Sequence, residues 1–291
     1  MSVRIEKSGS VWTVIHSRPE ARNAMDAASA DALVAAFEKF DADNSANVAV
    51  FWGEGGAFCA GWDLKSVSDL DQADPVGRLD FPKDGGKAPR GPLGPSRLDM
   101  SKPVIAAVEG PAVAGGMELA MWCDVRVMAE SAYFGVYCRR WGVPLIDGST
   151  AGLPRLVGMG KALEIIITGR KVPAEECYRI GLAEKVVPHG KAREAAEAMA
   201  QEIARFPQAC MRADRLSAYR AWGKPVRARA WKANGRRARP SSRPRASPGP
   251  RASPPARAAT ATSTTSDAGA DARRVRQGQQ VKDMRCRTAG F

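Results

Sequence analysis

Two glycine-rich segments each follow an apolar run and open a helical pattern. They are Gly56-Ala57-Phe58-Cys59-Ala60-Gly61-Trp62-Asp63-Leu64 and Ala114-Gly115-Gly116-Met117-Glu118-Leu119-Ala120. Glycine allows close backbone approach, and N–H groups at the head of a helix favour negative charge. Glu118 lies three residues after Gly115 among Met117, Leu119, Ala120 and Met121. Such apolar neighbours fit a buried acid, which can act as general base or acid when a moving proton is within hydrogen-bond reach. Asp147, in Val143-Pro144-Leu145-Ile146-Asp147-Gly148-Ser149, has two open roles. It can cap the helix expected from about Ser149, or it can be a second acid. The six cysteines form no C-x-x-C pair and there are only two histidines, so zinc-site spacing is absent and free thiols are expected. No G-x-G-x-x-G follows a strand and no P-loop lysine occurs, so nucleotide-phosphate loops of those kinds are excluded.

The elements that position these residues alternate. Val3–Glu6 and Val11–Ile15 read as strands around a turn at Gly9, and Asp26 caps a helix with Ala32, Leu33, Ala36 and Phe37 at helical spacing. Strands are expected at 48–52, 103–108 and 123–128, and Asp63 is placed to cap a short helix. Helices are expected at 149–157, 161–168, 174–180 and 191–205. Residues 69–101, rich in Pro, Gly and charge, read as a long mobile loop of the kind that covers a binding site. Strands alternating with helices make the fold class α/β.

Taken together, the two glycine-rich segments resemble those of the enoyl-CoA hydratase/isomerase (crotonase) family. The likeness includes Lys102-Pro103-Val104-Ile105-Ala106-Ala107-Val108-Glu109-Gly110 between them and Arg18-Pro19-Glu20-Ala21-Arg22-Asn23-Ala24-Met25 before them. It continues through Phe134-Gly135, Pro154-Arg155-Leu156-Val157-Gly158, Thr168-Gly169 and Gly181-Leu182-Ala183-Glu184-Lys185-Val186-Val187-Pro188. The resemblance implies a crotonase-like ββα spiral core with a helical C-terminal part. It implies an acyl-CoA substrate, no separate cofactor or metal, and a homotrimer or hexamer where the C-terminus permits. It assigns the backbone N–H groups of Trp62 and Gly115 to an oxyanion hole for the thioester carbonyl, and Glu118 to proton transfer. Ala21, Arg22, Ala60 and Lys65 fall at coenzyme A-binding positions, although solvated surface charge remains an equal reading for Arg22 and Lys65. Reversible hydration of a 2-trans-enoyl-CoA is the leading expectation, with 3,2-enoyl-CoA isomerisation or a non-catalytic relative as alternatives. One position departs from the pattern: Cys138 stands where the family's hydratases carry a second glutamate. A thiol is a poor substitute for a carboxylate, so Cys138 is expected to pack and Asp147 is the available replacement.

The chain of 291 residues carries a formal net charge of +13, but residues 238–291 hold eleven Lys/Arg against three Asp/Glu, and 221–237 hold six Lys/Arg and no acid. Residues 1–220 are therefore near neutral. We expect a spiral core over 1–200, a helical remnant over 201–237 and a disordered basic tail over 238–291. Apart from Phe291 the tail has no aromatics, which disfavours nucleic-acid binding. No signal-like or membrane-spanning apolar run occurs, so a cytoplasmic location is expected. The abrupt change after Arg237 fits a reading-frame shift that replaces a native terminal helix. Sequencing the gene tests this: the shifted frame beyond codon 237 is expected to encode an amphipathic helix, and a frame that encodes none would refute it.

Overall fold

The computed structural model describes residues 2–67, 79–81 and 88–221, all within a compact unit spanning Met1–Arg243. The disordered tail expected at 238–291 lies outside these residues, and the remnant at 201–237 is described as far as Ala221.

Strands β1 (Val3–Ser8) and β2 (Val11–His16) form an antiparallel hairpin around Gly9, whose φ of 60° suits glycine. Strands β3 (Val48–Gly53), β4 (Val104–Val108), β6 (Val125–Ala129) and β9 (Lys185–Val187) add in parallel. The sheet order is β1-β2-β3-β4-β6-β9. Every residue of β4 is buried, as expected for a parallel strand covered on both faces. A second sheet, in the order β5-β7-β8, contains β5 (Pro111–Val113), β7 (Tyr133–Gly135) and β8 (Lys171–Pro173). The chain thus steps from large sheet to small sheet to helix, the ββα repeat expected of a spiral.

Helices cover the sheet because their apolar faces have nowhere else to go. Helix α1 (Ala27–Ala42) begins at Asp26, whose side chain accepts the Ser29 N–H at 2.7 Å, and buries Leu33, Phe37 and Phe40. Phe37 packs edge-on to Phe51 and Trp122, at 5.5 and 4.9 Å between ring centres. A short α2 (Leu64–Val67) follows Asp63, and α3 (Gly115–Trp122) is buried throughout. After α4 (Ser149–Val157), α5 (Met159–Thr168) and α6 (Ala174–Arg179) comes α7 (Ala192–Ala204). Its buried Ala192, Ala196 and Ala200 let it lie closely across β2, β3, β4 and β6. Helix α8 (Gln208–Ala221) buries no residue fully. It is held by polar contacts: Arg215 Nε and the Tyr219 hydroxyl donate to Asp124 at 2.9 and 2.6 Å. Asp124, which also accepts from Val104 N, is therefore structural.

The expected loop at 69–101 requires correction where it is described. Gly91 to Ser96 is fully buried, and Pro95–Arg97 forms a 3-10 turn against α1 and α3. Composition suggested mobility, but this part of the segment supplies packing. Among the described residues Cys59, Cys123, Cys138, Cys177 and Cys210 are free thiols, and no helix is long and apolar enough to cross a membrane.

His16 is buried and neither ring nitrogen has a hydrogen-bond partner among the described residues. Burial, reinforced by the charge of Arg18, lowers its pKa to about 4. The unfolded chain takes up a proton near pH 6.5 while the folded chain stays neutral. Stability is therefore lost as pH falls from about 6.5 towards 4, by on the order of 3 kcal/mol. His16→Leu should remove that fraction of the acid sensitivity, measured as the difference from wild type in urea denaturation between those pH values.

Candidate active site

The two glycine-rich segments meet at the head of α3. Cys59 joins the edge of β5, with Cys59 N donating to Pro111 O at 3.2 Å and Val113 N to Cys59 O at 3.0 Å. Gly61 has φ 92°, and a Cβ there would lie 2.9 Å from Ala114 Cβ and 3.4 Å from Gly115 N. Gly116 has no room for a Cβ because the Cys59 carbonyl occupies the space. Ala114 takes φ 52°, ψ −126°, a left-handed conformation that costs a residue with a Cβ about 1–3 kcal/mol. Its own N–H donates to Gly135 O at 2.8 Å, so β7 anchors the turn. Opposite, Met25 N donates to Gly61 O at 2.7 Å and Asp63 N to Met25 O at 2.9 Å. Trp62 N–H and Gly115 N–H, on neighbouring segments, find no backbone acceptor among the described residues.

Glu118 is buried, as its apolar neighbours led us to expect. Its Oε1 accepts Asp147 N at 3.1 Å and Ser149 N at 3.0 Å. Burial, then the charge of Asp147, pushes its pKa up to about 8. Asp147 is buried as well, but it does not cap α4: the cap is Gly148, with no side-chain bond. Instead its Oδ1 accepts Leu93 N at 3.2 Å and the Ser96 hydroxyl. Its Oδ2 is buried and has no hydrogen-bond partner among the described residues. Burial raises the pKa of Asp147, while Ser96, Leu93 N–H, Arg97 and Arg90 oppose the rise. Cys138 is buried near Glu118, and burial with that negative charge raises its thiol to about 11. At neutral pH it is a protonated packing residue beside the acid, as its type suggested.

The outer positions are arranged differently. Ala60 N donates to Arg22 O at 3.1 Å, which ties the Ala21–Arg22 loop to the first glycine-rich segment. Arg22, at φ 52°, is exposed. Buried Asn23 fixes the loop by donating to Glu54 O and Ala57 O, both at 2.7 Å, and accepting from Arg18 N. Lys65 is exposed one turn from Trp62, its N–H donating to Asp63 at 3.1 Å. Leu93 and Ser96 were not legible beforehand: they reach Asp147 across about fifty positions of sequence. The side chain of Leu93 also lies over Gly115, 2.6 Å from where a Cβ would be.

The model of the enoyl-CoA hydratase/isomerase family matches residues 6–234. The chain belongs to this family. It is 36% identical over 206 residues to enoyl-CoA hydratase EchA19 of Mycobacterium tuberculosis, covering 68% of this chain and 73% of that protein. It is 35% identical over 204 residues to carnitinyl-CoA dehydratase of Salmonella typhi, covering 69% and 74%. The solved enoyl-CoA hydratase from Mycobacterium avium superposes with a TM-score of 0.69 at 30% identity, covering 82% of this chain and 96% of that one. The carnitinyl-CoA hydratase from the same organism gives 0.70 at 30% identity, covering 81% and 88%. Membership in the enoyl-CoA hydratase/isomerase family accounts for the ββα spiral and for the meeting of two glycine-rich segments within it.

Two glycines separate backbone strain from crowding. Gly56, at φ 86°, has nothing within 4 Å of the place a Cβ would take, whereas Gly61 faces Ala114 and Val113 O. Gly56→Ala should cost about 1–2 kcal/mol from the left-handed backbone alone. Gly61→Ala should lose about 1–3 kcal/mol more by forcing the segments apart, as read from urea unfolding midpoints.

Proposed function

We propose that this protein is an enoyl-CoA hydratase acting on an acyl-CoA thioester. The observation that carries the reading is the buried Glu118–Asp147 pair together with two backbone N–H groups that find no backbone acceptor among the described residues. The thioester carbonyl accepts from Trp62 N–H and Gly115 N–H, which stabilise the enolate oxyanion as charge develops on it. Asp147, whose burial-raised pKa is opposed by Arg97, Arg90 and its two donors, acts in its ionised form and takes a proton from water through Oδ2 as the oxygen adds to C3. Glu118, protonated near neutral pH, gives its proton to C2, and one proton passing from Asp147 to Glu118 resets the pair. These steps transfer only protons and a hydroxyl group, so they call for no metal or redox cofactor.

Coenzyme A is held in this reading by the Ala21–Arg22 loop, Ala60 and Lys65, supported by the exposure of Arg22 and Lys65 and by the bond from Ala60 N to Arg22 O. We place the reaction in the cytoplasm and the chain in a trimer or hexamer. Assembly is supported by exposed Met159, Leu163 and Ile167 on α5, four residues apart along one face.

A second reading is double-bond isomerisation, favoured by Cys138 at the second glutamate position. There the Glu118–Asp147 pair would carry a proton between C2 and C4. One assay separates the two: incubation in heavy water with a 2-enoyl-CoA and, separately, its 3-enoyl isomer, followed by mass spectrometry. Water addition to the 2-enoyl substrate is expected, whereas deuterium uptake with bond migration alone would replace the hydratase reading. Glu118→Gln should lower kcat by about 10²–10⁴-fold with the fold retained by circular dichroism.

A further inference from the structure

Asp147 presents its two carboxylate oxygens unequally. Oδ1 accepts both Leu93 N–H and the Ser96 hydroxyl, and Oδ2, although buried, accepts nothing among the described residues. A buried carboxylate oxygen without a partner is costly unless a ligand, water or proton completes it. Ser96 is itself buried, with 1% of its surface exposed. A Cβ on Gly91 would collide with Ser96 Oγ and lie 2.8 Å from Asp147 Oδ1. The hydroxyl is therefore confined between Gly91 and the carboxylate, and glycine at 91 is what makes the space.

We propose that Ser96 is a positioning residue for proton transfer: with Leu93 N–H it occupies Asp147 Oδ1, so that Oδ2 alone is offered to the water that adds to the acyl group. The inference rests on the hydratase reading for the identity of that water, but the hydrogen bond and its effect on Asp147 do not. The same 3-10 turn that carries Ser96 also carries Arg97, and Leu93 just before it lies over Gly115. One short segment thus sets the oxygen, its charge and one wall beside the thioester position.

The groups facing Asp147 are Glu118 from α3, Arg97 from the 3-10 turn, Arg90 before it and the Cys59 thiol from the first glycine-rich segment. Cys138 lies near Glu118. Burial holds the Cys59 and Cys138 thiols at about 12 and 11, so neither changes charge near neutral pH. Within this set the Ser96 hydroxyl is the neutral donor that favours the Asp147 carboxylate. Its removal favours the protonated form, which cannot accept a proton from water.

The test compares wild type with Ser96→Ala and Ser96→Cys, the latter close in size and a weaker donor. Infrared difference spectra follow protonation of Asp147 with pH, its carboxyl band identified by its loss in Asp147→Asn. Ser96→Ala is expected to move that titration to higher pH, with Ser96→Cys between, and an unmoved titration overturns the proposal. In the heavy-water assay, Ser96→Ala should lower kcat for hydration about 10- to 100-fold. KM and the exchange of C2 protons on a saturated acyl-CoA, which needs Glu118 and the paired N–H groups, should stay within about threefold. Parallel loss of hydration and exchange would make Ser96 merely structural and overturn the proposal. A wild type that exchanges C2 protons but adds no water ends the hydratase reading, and the infrared titration still decides the role of Ser96.

Discussion

The close contact of backbone with backbone, where no side chain can stand between, governs this structure. Gly116 of α3 rests on the carbonyl of Cys59, Gly110 on the carbonyl of Gly56, and Gly61 against Ala114. A methyl group at Gly110 or Gly116 would fall well inside van der Waals contact with a carbonyl oxygen. These contacts bring the first glycine-rich segment to the head of α3, and the left-handed turn at Ala114 aims that head. The direction of α3, and with it the position of Glu118, follows from that contact.

Charge is managed by what surrounds the buried acids. Taking two carboxyl groups out of water is unfavourable, and each receives two donors on one oxygen. Glu118 gets the backbone N–H groups of Asp147 and Ser149, while Asp147 gets Leu93 N–H and the Ser96 hydroxyl. The two then differ in their neighbours. Arg97 and Arg90 act on Asp147, while Glu118 lies near Asp147 and the neutral Cys138 thiol. Two acids whose surroundings separate their proton affinities are suited to donating and accepting in one reaction. In the proposed chemistry this asymmetry takes the place of the second glutamate of the family pattern.

Much of the fold was readable because strands and helices announce themselves locally. The apolar run of β4, the Asp26 cap and the alanine face of α7 depend on residues within a few positions of one another. The burial of Glu118 followed from the same logic, since an apolar stretch around an acid on a short helix leaves it little solvent. The segment from Gly91 to Ser96 was misjudged because its Pro and Gly content also describes a mobile loop. What buries it is the fit of Leu93 to Gly115 and of Ser96 to Asp147.

The sequence by itself determined the pair of glycine-rich turns, the α/β order and the acid at Glu118, because each rests on local spacing and on residue types with few conformational options. Only the tertiary structure decided that Asp147 takes its donors from residues 93 and 96 rather than capping α4. It alone also set Cys138 near Glu118 and left Oδ2 of Asp147 without a partner among the described residues. These are meetings of side chains from separate elements, and their geometry exists only once the sheets, α3 and the 91–96 segment have packed together.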